Sequence, residues 1–113
     1  MHELAVTQSM LDLALEYAGR AGAQRITRIN LVVGELSGIV DDCVQFYFDF
    51  VSKGTLAEGA QLAFERQPAR LRCRACGHEF TLQDGNWACP VCQAQGGEII
   101  AGREFYMESI EVE

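Results

Sequence analysis

Positive charge is scarce in this chain. Nine Lys and Arg stand against sixteen Asp and Glu, a net charge of −7 over 113 residues. Nucleic-acid binding draws most of its affinity from neutralised phosphates and announces itself as a basic face, so no nucleic-acid partner is expected. The one basic cluster is Arg66, Arg70, Arg72 and Arg74. Within residues 69-100 its three arginines are matched by Glu79, Asp84 and Glu98, and the cluster reads as a solvated strand edge. No run of 18 apolar residues occurs, so no membrane span is expected. Met1-His2-Glu3-Leu4 lacks the basic and apolar regions of a secretory signal, which predicts a cytoplasmic chain with reduced thiols. Internal repeats and low-complexity stretches are absent. Histidine is rare, with His2 and His78 alone, and no carboxylate–histidine set stands outside the terminus, so no enzyme active site is expected.

Against these absences, four of the five cysteines stand as Cys73-x-x-Cys76 and Cys89-x-x-Cys92, with twelve residues between the pairs. Each short turn aims two sulfurs at one point, and four thiolates close a tetrahedron around one Zn(II). Four sulfurs leave no open coordination position, so this metal holds structure and does no chemistry. Gly77 follows the first pair where a positive φ is often needed, and Pro90 stiffens the second. Two disulfides, or four buried thiols, are the plainer alternatives, and a chain without a secretory signal fits neither. His78 reads as a solvated spare.

Periodicity supplies the rest of the chain. From Leu4 to Tyr17, Leu4, Leu11, Leu15 and Ala18 form an apolar stripe flanked by Val6, Met10, Leu13 and Tyr17, an amphipathic helix that Gly19 or Gly22 ends. Residues 25-34 read as a strand with Ile29, Leu31 and Val33 on one face. Asp41 or Asp42 is placed to cap a second helix carrying Val44, Tyr47, Phe48 and Val51, with Gly54 as its stop. Its aromatics, Phe46 and Phe50 included, are expected in the core, and Cys43 as a small buried hydrophobe. Residues 60-67 alternate as a strand ended by Pro68, and residues 103-112 as another. The order α-β-α-β, zinc insert, β predicts an α+β fold. It comprises a small mixed sheet of about three strands, two helices and an inserted zinc-ribbon minidomain. An antiparallel pairing of the last two strands would put the ribbon at the tip of a long hairpin, with a hinge near Pro68 and Gly102.

The terminus offers a second metal site. The α-amine of Met1 (pKa about 7.7–8.0) and the imidazole of His2 (about 6.5) both lose protons near neutral pH. With the His2 amide between them they form two fused chelate rings in one plane, the nitrogen geometry Ni(II) favours.

Together, Met1-His2-Glu3-Leu4, Gly34-Glu35-Leu36-Ser37, Gly59-Ala60 with Leu62, the two cysteine pairs and Ser109-Ile110-Glu111-Val112 resemble the HypA/HybF hydrogenase nickel-insertion accessory proteins over essentially the whole chain. The resemblance implies a nickel-binding domain (1-68 and 101-113) and a zinc domain (69-100) inserted between its later strands. It implies transient Ni(II) at Met1, His2 and Glu3, structural Zn(II) at Cys73, Cys76, Cys89 and Cys92, and a metallochaperone rather than an enzyme. The partners implied are a GTPase of the HypB kind and the NiFe hydrogenase large subunit, with urease accessory proteins in some members. Homodimers through strand pairing are a further option. Some relatives carry a His directly after each cysteine pair, where this chain has Gly77 and Gln93. The alternative reading is a zinc-ribbon adaptor or nucleic-acid-associated module, in which the terminus is irrelevant.

Overall fold

The computed structural model describes residues 3–113. In chain order these form α1 (Glu3–Arg20), β1 (Ile26–Gly34), α2 (Asp41–Val51), β2 (Gln61–Gln67), β3 (Arg70–Arg72), β4 (Glu79–Thr81), β5 (Glu98–Ala101) and β6 (Phe105–Val112). The strands make two sheets of three, ordered β2-β1-β6 and β4-β3-β5. Each sheet has its own apolar core, the first with α1 and α2, the second around Leu71, Phe80, Cys73 and Cys89. Two cores lengthen the molecule: its radius of gyration is 17.5 Å, against about 13 Å for one compact body of this length. No helix among the described residues is long and apolar enough to cross a membrane.

The first sheet is mixed because β1 runs down its centre, parallel to β2 and antiparallel to β6. This corrects the hairpin expectation, since the two later strands flank β1 instead of pairing. β1 earns the centre by its composition: Ile29, Leu31 and Val33 bury one face completely, and Val32 is buried on the other. Its two neighbours are more polar, which suits edge strands.

On α1 the buried residues are Thr7, Met10, Leu11, Ala14 and Ala18, a stripe rotated from the expected one. Ala14 and Ala18 let the helix approach closely, so the inward face is the one with small residues. Leu4, Leu13 and Tyr17 are left exposed on its flanks. The helix ends as a Schellman motif, with Ala23 N–H donating to Ala18 O, Gly22 N–H donating to Gly19 O, and Gly22 at φ 66°.

α2 departs further from expectation. Its N-cap is Val40, which makes no side-chain cap bond, while Asp41 and Asp42 sit in the first turn, where negative charge complements the helix dipole. The helix ends at Val51, with Ser52 as its C-cap, ahead of Gly54. Val44 and Phe48 face the core, whereas Cys43, Phe46 and Phe50 are exposed. Eleven residues give one helix face room for only two or three core contacts, so the clustered aromatics could not all point inward.

The two sheets meet at a crossing built from Gly34, Ala69 and Gly102. Three successive amides at the end of β1 donate around it: Gly34 N–H to Glu104 O (2.6 Å), Glu35 N–H to Gln67 O (2.8 Å) and Leu36 N–H to Gly102 O (2.7 Å). The Glu35 carboxylate accepts from Ala69 N–H (3.2 Å), and the Glu104 carboxylate accepts from the amides of Gly102 and Arg103. Those amide bonds hold the Glu104 carboxyl below its ordinary pKa, the Gly102 bond first, against a smaller opposing desolvation. A Cβ on Gly34 would overlap the Gly102 carbonyl, and one on Gly102 would lie 2.6 Å from Ala69 Cα. The segment expected to be a hinge is therefore clamped.

Candidate metal centre

Both cysteine pairs are held by the same backbone device. In the first, Gly77 N–H donates to Cys73 O and Cys73 N–H to His78 O; in the second, Gln93 N–H donates to Cys89 O and Cys89 N–H to Ala94 O, all at 2.8–2.9 Å. The residue after each pair takes a positive φ, 78° at Gly77 and 70° at Gln93. Gly77 was legible as such a position. Gln93 was not, because a non-glycine residue there adopts a conformation side chains disfavour. β3 leads into Cys73 and pairs with β4 and β5, so the first knuckle stands on the sheet. Gly97 closes the arrangement, since a Cβ there would lie 2.6 Å from Arg72 O. Of the glycine pair at 96 and 97, Gly96 takes a positive φ of 75° and Gly97 is a packing requirement.

The four sulfurs lie within 4.8 Å of one another. Cys73 and Cys92 approach to 3.5 Å and Cys76 and Cys89 to 3.6 Å. A tetrahedral Zn(II) with sulfurs at about 2.3 Å has S···S edges of about 3.8 Å, so the donor set fits that ion in number, chemistry and size. Its electrostatics agree. Backbone amides of Cys76 and Ala75 draw the Cys73 thiol down to about 6, outweighing its desolvation. At Cys76 the His78 amide favours the thiolate, but desolvation and the neighbouring sulfurs outweigh it and push that thiol up to about 12. Desolvation at Cys89 is outweighed by the Cys92 and Val91 amides, which lower it, while the Cys73 sulfur helps to raise Cys92 against the Ala94 amide. Four sulfurs this close cannot all ionise unaided, and a divalent cation removes the conflict.

His78 lies outside the cluster, exposed, with its ring stacked on Phe80 at 6.4 Å between centroids. Three of the clustered arginines are engaged: Arg66 with Asp41, Arg72 with Glu79 and Glu98, and Arg70 with Thr81 Oγ1. Of the terminal residues, Met1 and His2 lie outside the described residues. Glu3 opens α1, half-buried, and its carbonyl accepts from the buried Thr7 hydroxyl at 2.6 Å. Sequence reasoning missed the crossing residues, although Gly34-Glu35-Leu36-Ser37 had stood out as a motif.

A family model described as "Hydrogenase/urease nickel incorporation, metallochaperone, hypA" matches residues 1–112. The chain is 49% identical over its whole length to the hydrogenase maturation factor HypA of Dehalococcoides mccartyi, covering 95% of that protein. It is 45% identical to the HypA of Caldanaerobacter subterraneus, with both chains fully covered. Its fold matches the solution structure of the nickel metallochaperone HypA from Helicobacter pylori at a TM-score of 0.71 and 26% identity, over 99% of this chain and 97% of that one. With fold, cysteine cluster and full-length match in agreement, this chain belongs to the HypA family of metallochaperones for nickel incorporation into hydrogenase and urease, a family of maturation factors and not of enzymes.

Proposed function

We propose that this chain carries Ni(II) at its N-terminus and delivers it to the NiFe hydrogenase large subunit in the cytoplasm. A HypB-like GTPase is its working partner, and urease maturation is a second destination. When Met1 bears a free α-amine, that amine, the His2 amide nitrogen and the His2 imidazole hold Ni(II) in one plane, with Glu3 adding its amide or carboxylate. The first four N–H groups of a helix have no intrahelical acceptor, so the Glu3 amide is spared for such a role. Cys73, Cys76, Cys89 and Cys92 hold Zn(II) as a permanent structural ion. Residues 1-68 with 101-113 act as the nickel-binding domain and 69-100 as the zinc ribbon, the division falling within one residue of the end of β5.

The supporting observation is the closed four-sulfur set. A site whose donors already complete a tetrahedron has no position through which to take up and release cargo, so the cargo metal needs ligands elsewhere. The terminus offers nitrogen donors. Calorimetric titration of Ni(II) into the native chain, and into a chain extended by a few residues before Met1, tests this directly. Strong uptake is expected only with the native start; equal uptake by both removes the terminal site. His2→Ala should abolish strong nickel uptake with zinc content unchanged, and Cys76→Ala should lower zinc while nickel capture survives.

A further inference from the structure

A groove runs between α1 and the outer edge of β6. Its two stretches, about 560 and 430 Å³, share Leu13 and Met107 and so form one trough along the strand. Leu13 and Tyr17 on the helix side and Tyr106 and Val112 on the strand side are all exposed there, between 39% and 47%. β6 pairs with β1 on one side only, and among the described residues no strand covers its other edge. Unpaired backbone groups beside an apolar trough are what an added strand needs: the backbone supplies hydrogen bonds, and alternate side chains drop into the trough.

The trough also has an electrical polarity. Arg103 lies at the end where α1 begins, and Glu108 lies midway along β6. Neither makes an ion pair among the described residues, whereas Glu111 and Glu113 are matched by Arg28 and Arg25. A second copy of the chain is a poor occupant. Antiparallel pairing of β6 with itself centred on Glu108, the middle of the strand, sets Glu108 against its own counterpart, and like charges across a strand pair are destabilising, on two chains that each carry −7.

We infer that this edge binds an extended internal segment of another protein, added antiparallel to β6, with alternating apolar residues, a basic residue opposite Glu108 and a side-chain carboxylate near Arg103. The segment would emerge beside Ala5 and Ile39, at the start of α1. Delivery of that end to the nickel ligands rests on the function proposed above; the docking itself does not.

The test uses the full chain, zinc-loaded and nickel-free, with labelled amides followed by NMR. The probe is a capped synthetic peptide of about nine residues, a strand's length, alternating valine with polar residues, with lysine at its centre and glutamate near its C-terminal end. Shifts confined to β6 and the facing side of α1 are expected. Glu108→Lys and Arg103→Glu should each weaken binding about fivefold, and a peptide with its lysine and glutamate exchanged should restore binding to the double variant. Shifts on β2 or the second sheet, affinity indifferent to both variants, silence up to about 1 mM peptide, or self-association through β6 would each overturn the proposal. Because nickel is left out, failure of the terminal chelate would leave this result untouched.

Discussion

Replacing Gly34 by alanine asks a methyl group to occupy space already filled by backbone. The new Cβ would overlap the Gly102 carbonyl oxygen and lie 2.5 Å from the Gly102 carbonyl carbon and 2.9 Å from the Glu104 nitrogen. None of these atoms can swing away as a side chain would, so the strands must part. Parting strains the two short bonds that straddle the overlap, Gly34 N–H to Glu104 O and Leu36 N–H to Gly102 O. Overpacking costs about 1–3 kcal/mol and each lost bond about 1 kcal/mol, giving roughly 3–5 kcal/mol. That is a large share of a total stability of about 5–15 kcal/mol. Urea unfolding followed by helix circular dichroism and by Trp87 fluorescence reads the first and second sheets separately. Gly34→Ala should lower the midpoint on both signals. Gly19 is the control: nothing lies within 4 Å of its Cβ position, and Gly19→Ala in α1 should stabilise by up to about 1 kcal/mol. If Gly34→Ala stays within about 0.5 kcal/mol of the parent, the range of an ordinary surface change, the clamp does not exist as described.

Phe48 is 1% exposed and Phe50 71%, so Phe48→Ala should cost about 3–5 kcal/mol and Phe50→Ala under about 0.5 kcal/mol; comparable losses in a urea titration would refute the orientation of α2. Thr7→Val keeps the shape of a fully buried side chain and deletes its bond to Glu3 O, with an expected loss of about 1 kcal/mol in the same titration. The Glu104 carboxyl is held below its ordinary pKa by the Gly102 and Arg103 amides. Its contribution is therefore complete above the usual glutamate value of about 4.3 and is lost as pH falls through the lower folded value. An NMR titration of the Gly102 and Arg103 amides should show a midpoint below that value and none in Glu104→Gln; a midpoint at or above it would contradict the bonding.

How much of this was written in the chain depended on the range of the interaction. The cysteine cluster needs only two short turns of fixed spacing, and its four residues came together as read. β1 was equally plain, because its alternating apolar residues bury a face wherever the strand lies. Strand order was not, since β2 and β6 both look like edge strands and nothing local says that β1 runs between them. On α1 the stripe was misjudged by favouring large residues; packing distance, set by Ala14 and Ala18, chose the face instead. On α2 composition misled outright, because four aromatics in five positions exceed what one helix face can bury. The exposed Phe46 and Phe50 follow from geometry, not from hydrophobicity.

The crossing was least legible, and for a specific reason. Glycine serves two ends that a sequence does not separate. Gly38 needs its positive φ of 77° and has open space around its Cβ position, whereas Gly34 needs the space itself. The atoms that demand it belong to Gly102 and Glu104, far along the chain, as Ala69 is far from the Glu35 carboxylate that accepts from it. Such pairs are visible only once the strands are laid side by side. Their effect on motion is nevertheless definite. A hinge at Pro68 and Gly102 would have to release the bonds that tie both connecting segments to the residues just after β1, Leu36 N–H to Gly102 O and Ala69 N–H to the Glu35 carboxylate. Glu35 and Leu36 follow directly from the most buried strand of the first sheet, so any swing of the second sheet must first break these two bonds and part Gly102 from Ala69.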